Sequence, residues 1–230
     1  MLSVVTFKWA TPGYRATFTA RHVNTLRRMV ARHYAKPHRF ICITDDAIGL
    51  GEGIEVVPLW DDYRSVPNPT GGGRPSCYLR LKLFDPSIRS QIGDRFVMLD
   101  LDCVILGDLS PIFDRPEDAV FWRSPSKLWP YNGAIMLMNA GARPQVWEDF
   151  DPIESPKATQ ARGYRGSDQA WISHCLGDGE PVWTAEDGVI YQNDLWKATS
   201  RKPRGARILF TTGGHPPWTA RALWVREHYR

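Results

Sequence analysis

The stretch Phe96-Val97-Met98-Leu99-Asp100-Leu101-Asp102-Cys103-Val104-Ile105-Leu106 decides the reading of this chain. Four apolar residues end in two acids one residue apart, and a second apolar run follows at once. The first run reads as a buried strand. An unpaired carboxylate is costly inside such a strand. Asp100 and Asp102 are therefore expected at its carboxyl end, in the crevice where open α/β sheets hold ligands. In extended chain, residues two apart point to the same side. Both carboxylates can then grip one hard divalent cation, Mg²⁺ or Mn²⁺, which prefers oxygen ligands. A solvated acidic turn, with Asp102 capping a local N–H, stays open on these residues alone.

Outward from this strand the chain alternates strand and helix. Leu2 to Phe7 reads as a first strand. From Tyr14 to about Tyr34, Ala16, Ala20, Val23, Leu26 and Val30 recur at helical spacing until Pro37 ends the element. Phe40 to Ile43 and Ile54 to Val57 are two further strands, so the first part carries a βαβ unit of a parallel sheet. Asp61 to Ser76, with three prolines and Gly71-Gly72-Gly73, reads as a long loop, either a lid or a poorly ordered excursion. Tyr78 to Phe84 returns to helical spacing. Beyond Leu106, Ala119–Trp122 and Ala134–Met138 are strand-like, Asp151–Gly166 reads as a connection, and Asp168–Leu176 fits a short helix capped by Ser167. Val189–Tyr191 and Ile208–Phe210 read as late strands and Ala220–His228 as a last helix.

The 230 residues, 43% hydrophobic and 23% charged, suit one globular domain with a full core. The opening Met1–Val5 reads as a strand rather than a signal peptide. No apolar run approaches the roughly 20 residues that span a bilayer. The expected location is cytoplasmic, with peripheral membrane docking compatible. Cys42, Cys77, Cys103 and Cys175 form no C-x-x-C pair, which argues against a zinc site and for reduced thiols. The net charge of +4 is mild. Its one basic cluster, Arg201, Lys202, Arg204 and Arg207, reads as a solvated face or as a contact for phosphates, with no nucleic-acid motif around it, so no nucleic-acid partner is expected.

Four segments, in order, resemble GT-A fold glycosyltransferases, specifically the nucleotide-sugar enzymes related to glycosyltransferase family 8. They are Tyr78-x-Arg80-Leu81-Lys82-Leu83-Phe84, Asp100-Leu101-Asp102, Tyr131-Asn132-Gly133-Ala134-Ile135-Met136-Leu137-Met138-Asn139, and Ser167-Asp168-Gln169-Ala170. The third lacks one small residue that the family carries between Asn and Gly. The resemblance covers most of the chain. It implies an α/β fold of the GT-A, Rossmann-like kind: a mixed, mainly parallel sheet flanked by helices. It also implies a single domain over 1–230, with a nucleotide-binding part at about 1–106 and an acceptor and sugar part at about 107–230.

The implied activity is metal-dependent transfer of a sugar from a nucleotide-sugar donor, a UDP-sugar, to an unidentified acceptor, with retention. A nucleotidyltransferase or phosphohydrolase on the same Asp-x-Asp site, and a noncatalytic carbohydrate-binding protein on the same scaffold, are the alternatives. The expected metal ligands are Asp100, Asp102 and His215. His215 stands in Phe210-Thr211-Thr212-Gly213-Gly214-His215-Pro216-Pro217-Trp218, displaced towards the tryptophan, and Pro216 replaces the family's Lys. The resemblance places Asp168 and Gln169 beside the donor sugar as catalytic residues. Asn132 and Gly133 read as a turn that lets the backbone approach the sugar, or as an ordinary hairpin turn. Lys82 is expected to contact phosphate or ribose, or to be a surface lysine; Arg80, two positions away on a helix, is expected to face elsewhere. Thr6 and Tyr14 flank the first βα turn, where the resemblance places the nucleotide: Thr6 is expected on the base edge and Tyr14 stacked on the base. Asp45 and Asp46 face the nucleoside or cap a turn. The ten tryptophans suit sugar stacking, with Trp122, Trp147 and Trp171 assigned to the core.

Overall fold

The computed structural model describes residues 1–10, 17–71, 75–211 and 215–230. Ten strands are described: Leu2–Lys8 (β1), His38–Thr44 (β2), Glu55–Pro58 (β3), Arg95–Leu99 (β4), Cys103–Ile105 (β5), Ala119–Arg123 (β6), Tyr131–Asn139 (β7), Val182–Trp183 (β8), Val189–Tyr191 (β9) and Ile208–Phe210 (β10). Seven form one sheet in the order β3-β2-β1-β4-β7-β6-β8, and β5-β10-β9 form a second. In the large sheet β7 alone runs against its neighbours, pairing antiparallel with β4 and β6. The sheet is thus mixed and mainly parallel, and its pairing of β4 with β7 joins the first and second parts of the chain.

Strands β1, β2 and β4 are buried on both faces, as their continuous apolar runs require. Alternate residues supply two cores. Val4, Cys42, Val97 and Leu99 pack with Val23, Leu26 and Val30 of helix α1 (Ala20–His33). Val5, Ile41, Ile43, Phe96 and Met98 pack with the 3₁₀ helix Tyr78–Phe84. Each fully buried Val, Leu or Ile contributes about 1.5–3 kcal/mol. Helix α1 begins later than the spacing of apolar residues suggested: the Thr19 N–H donates to His22 Nδ1 at 2.9 Å, which closes its first turn.

Two expected loops are structured. The connection Asp151–Gly166 holds helix α2 (Glu154–Ala161). Asp151 Oδ1 accepts the N–H groups of Ile153 and Glu154, each at 2.7 Å, and Pro156 sits in the first turn, where it breaks no bond. Those N–H groups hold the Asp151 carboxyl below its ordinary range. The long loop from Asp61 is tied down over its described residues: Tyr63 packs on Trp147 and Phe150, Arg64 pairs with Asp45 at 2.5 Å, and Ser76 bonds the Val66 carbonyl. Helix α3 (Asp168–Leu176) and helix α4 (Leu223–His228) complete the described helices of more than one turn. None of the four cysteines, all of them among the described residues, forms a disulfide. Among the described residues no helix is long and apolar enough to cross a membrane.

Candidate active site

The carboxyl ends of β1, β4 and β6 and the amino end of β7 lie side by side, under a crevice of about 810 Å³. Sheet order sorts its wall. Phe7 comes from β1 and Trp9 from the residue after it, Asp100 and Asp102 from the turn after β4, Asn132 and Gly133 from β7, and Trp122 from β6. Asp168 and Gln169 enter from the start of α3. The acidic turn, the Asn-Gly pair and the Asp-Gln pair, far apart in sequence, therefore share one crevice.

Asn132 and Gly133 lie within β7, not in a turn. The β6–β7 register jumps here, from Phe121 opposite Met136 to Trp122 opposite Asn132. The intervening residues form a bulge, stabilised by the Ala134 N–H donating to Asn132 Oδ1 at 2.9 Å. The bulge turns Gly133 towards the acids. A Cβ on Gly133 would stand 3.0 Å from Arg80 Nη2 and 3.1 Å from Asp168 Oδ2, so the absence of a side chain makes the close approach possible.

Arg80 holds the centre of the site. Its side chain is only 8% exposed and pairs with both Asp100 and Asp168. Nε donates to Asp168 Oδ2 at 2.8 Å, Nη2 donates to the same oxygen, and Nη1 donates to Asp100 Oδ1. Burial alone would lower the pKa of Arg80; the charges of Asp100 and Asp168 outweigh it and raise the pKa. Bringing such ions out of water costs several kcal/mol each, so the arrangement is better read as fixing two carboxylates than as a source of stability.

The expectation that Lys82 rather than Arg80 faces the site is reversed. In a 3₁₀ helix residues three apart eclipse, so Arg80 lines up with Cys77, and both line the crevice. Lys82 points away. It pairs with Asp62 at 2.6 Å, between the rings of Trp60 and Trp147. Thr6 is also turned from the crevice: it is fully buried and its Oγ1 donates to the Leu99 carbonyl at 2.8 Å. It braces the end of β4 and leaves no hydroxyl for a base edge. Tyr14 lies outside the described residues. Asp46 caps the Ile48 N–H at 2.9 Å and pairs with Lys8, while Asp45 pairs with Arg64. Both take the turn-and-loop role that the sequence left open.

Ser167 does not cap α3 with its side chain. Its Oγ accepts the Cys77 N–H at 2.8 Å, joining the start of α3 to the segment that carries Arg80. Gly166 has φ +96°, a backbone conformation that favours glycine, and a Cβ there would lie 2.8 Å from Gln169 Nε2 and press on that side chain.

Asp100 and Asp102 offer carboxylate oxygens on one wall, the donors that a hard cation takes while filling its remaining positions with phosphate oxygens and water. The donor set therefore suits an ion that arrives with a diphosphate. Among the described residues no group of three or more His, Cys, Asp or Glu is placed to hold a metal. His215 is exposed and does not line the crevice; its ring lies 6.0 Å from that of Trp196. Pro216 leads the chain into the 3₁₀ turn Pro217–Thr219, where Trp218 packs 4.2 Å from the ring of His22. The expected third ligand thus stands apart from the carboxylate wall.

Sequence reasoning missed most of the aromatic wall. Trp9, Trp122, Trp129, Tyr191 and Phe210 all line the crevice. Trp122, assigned to the core, is 3% exposed and stacks on Phe210 at 4.7 Å, joining the two sheets beside Asp102.

With this geometry the chain can be set beside solved structures. It is similar to the galactosyltransferase LgtC in complex with donor and acceptor sugar analogs, at TM-score 0.63 and 15% identity over 99% of this chain and 95% of that one. The fold is GT-A-like. Similar too are the glycosyltransferase GlyE of Streptococcus pneumoniae TIGR4, at TM-score 0.62 and 14% identity, and the bifunctional glycosyltransferase WbbM, at TM-score 0.61 and 13% identity. This chain is covered over 100% and 99% of its length in these pairs but spans only 61% of GlyE and 49% of WbbM. No family model matches the chain, and no curated protein matches it by sequence.

Proposed function

We propose that this protein is a divalent-cation-dependent glycosyltransferase that moves a sugar from a UDP-sugar to an acceptor hydroxyl with retention. The observation that carries the reading is the meeting of Asp100, Asp102, Asn132, Asp168 and Gln169 in one crevice at the end of β4, with Arg80 joining the acids. The likeness of the fold to three glycosyltransferase structures supports it.

Asp100 and Asp102 would hold the Mn²⁺ or Mg²⁺ ion, which supplies charge neutralisation for the departing diphosphate. Arg80 keeps Asp100 oriented and fixes Asp168 beside the sugar. The bulge at Gly133 leaves room for the sugar against the backbone, and the Asn132 amide and Gln169 offer hydrogen bonds to its hydroxyls. The acceptor oxygen forms the new bond to the anomeric carbon as the bond to the diphosphate oxygen breaks, and the acceptor proton passes to the diphosphate. Asp168 supports positive charge at the anomeric carbon. It is 3% exposed, and two Arg80 nitrogens donate to its Oδ2, which holds it in place at the site.

Two measurements test this reading. Titration of UDP should show tighter binding with Mn²⁺ than without it in the wild type, and no such gain in Asp102→Asn. NMR of the product from an α-linked donor should show an α-linkage; a β-linkage overturns the mechanism.

A further inference from the structure

We infer that the face carrying Trp196, Leu223 and the basic cluster Arg201, Lys202 and Arg204 docks on an anionic lipid surface. The inference does not depend on the chemistry of the crevice. Its first ground is charge. Residues 195–230 hold eight of the 29 Lys and Arg of the chain but one of its 25 Asp and Glu, Glu227. The whole chain carries +4, so this stretch is strongly basic and the rest of the chain is acidic in balance. An asymmetry of this size points to a polyanionic partner.

The second ground is the way the fold joins these cations into one surface. Trp224 Nε1 donates to the Ser200 carbonyl at 2.9 Å, which ties helix α4 to the segment that leads into the cluster. Lys202 Nζ stands 3.2 Å from His228 Nε2. Arg32, at the end of α1, forks onto the carbonyls of His228 and Arg230. Arg28, Arg32, Lys202, Arg204, Arg226 and Arg230 are all exposed. Burial, then the charges of Arg230 and Arg28, lower the pKa of Arg32, as cations held close together should.

The third ground is apolar surface set among the cations. The Leu195 carbonyl accepts the N–H groups of Arg221 and Ala222, at 3.0 and 3.2 Å, so the segments that carry Trp196 and Leu223 lie against each other. Both side chains are large and turned to solvent, 48% and 67% exposed. Lys197 Nζ lies 5.3 Å from the centre of the Trp196 ring, and Arg221 and Arg226 flank Leu223 in the chain. An indole sits well at the headgroup level of a bilayer, a leucine enters the acyl boundary, and Lys and Arg meet the lipid phosphates. A nucleic acid would answer the cations alone; a lipid surface answers the leucine as well.

Flotation of the full chain with vesicles tests this. The protein should rise with vesicles of equimolar phosphatidylcholine and phosphatidylglycerol and stay behind with phosphatidylcholine alone. Raising the salt from about 0.1 M to about 1 M shortens the Debye length from about 10 Å to about 3 Å and should weaken binding by about tenfold or more. Replacing Arg201, Lys202 and Arg204 together by Gln should weaken it by about a hundredfold, since each Lys or Arg near such a surface contributes about fivefold. Trp196→Ser and Leu223→Ser should each weaken it by about tenfold with the salt dependence kept, while thermal melting shows every variant folded. No binding to the anionic vesicles, equal binding to both compositions, or affinity unchanged in all these variants overturns the inference. So does tighter binding of a polyglutamate peptide or an oligonucleotide than of the anionic vesicles, with Trp196→Ser and Leu223→Ser without effect.

Discussion

Arg80→Met removes the guanidinium fork and keeps much of the side-chain volume. In the wild type the side chains of Arg80 and Asp168 are 8% and 5% exposed, and Asp100 is 28% exposed. The variant leaves Asp168 as a buried charge without its cation. Breaking a buried pair in this way costs about 3–5 kcal/mol. For a domain of this length each kcal/mol moves Tm by about 2–4 °C, so the expected fall is on the order of 10 °C. Differential scanning calorimetry reads it. The double variant Arg80→Met/Asp168→Asn should recover part of the loss, because the uncompensated charge is gone; the two substitutions are coupled, not additive. Arg80→Lys should lie between, since a single ammonium cannot fork across both acids. A Tm for Arg80→Met within about 2 °C of wild type, or a double variant less stable by the simple sum, would refute the reasoning.

Asp168→Asn should lower turnover by about a hundredfold or more with UDP affinity nearly intact, because its contribution arises in the transition state; steady-state kinetics beside a UDP titration checks both. Gly166→Ala should cost about 1–3 kcal/mol in urea unfolding and displace Gln169, given φ +96° and the short Cβ approach. His22 gives a pH dependence. Burial, and then the charge of Arg21, hold its pKa below the ordinary value of 6.5, so the folded state favours the neutral ring. Its contribution is fully present above that value and is lost as pH falls through the lower folded value. Unfolding free energy should therefore fall from about pH 8 to about pH 5, with a shallower slope in His22→Gln; an unchanged slope contradicts this.

The sheet was legible because buried strands announce themselves as apolar runs: Val4–Val5, Phe40–Ile43 and Phe96–Leu99 all lie in the large sheet. The acidic turn was legible because charge cannot continue such a run. Helix α2 was hidden by its polarity and by Pro156, which is harmless only in a first turn. Asn132-Gly133 carries a turn signature, yet Tyr131 and Asn132 pair with Arg123 and Trp122 of β6, and the bulge that follows keeps Gly133 within β7. Arg80 and Lys82 were exchanged because the segment is a 3₁₀ helix, whose eclipsed positions differ from those of an α-helix. Trp129 and Thr211, which also line the crevice, left no periodic signal, since they come from a loop and from the residue that follows a short strand of the second sheet.

The central claim is that the crevice between β4 and α3 turns over a nucleotide sugar. The most direct measurement is release of nucleoside diphosphate from a panel of nucleotide-sugar donors with Mn²⁺, for the wild type and Asp102→Asn side by side. The account predicts release of UDP from at least one UDP-sugar, abolished by chelation of the metal and largely lost in the folded Asp102→Asn variant. No release from any donor, or Mn²⁺-dependent release undiminished in Asp102→Asn, would contradict it.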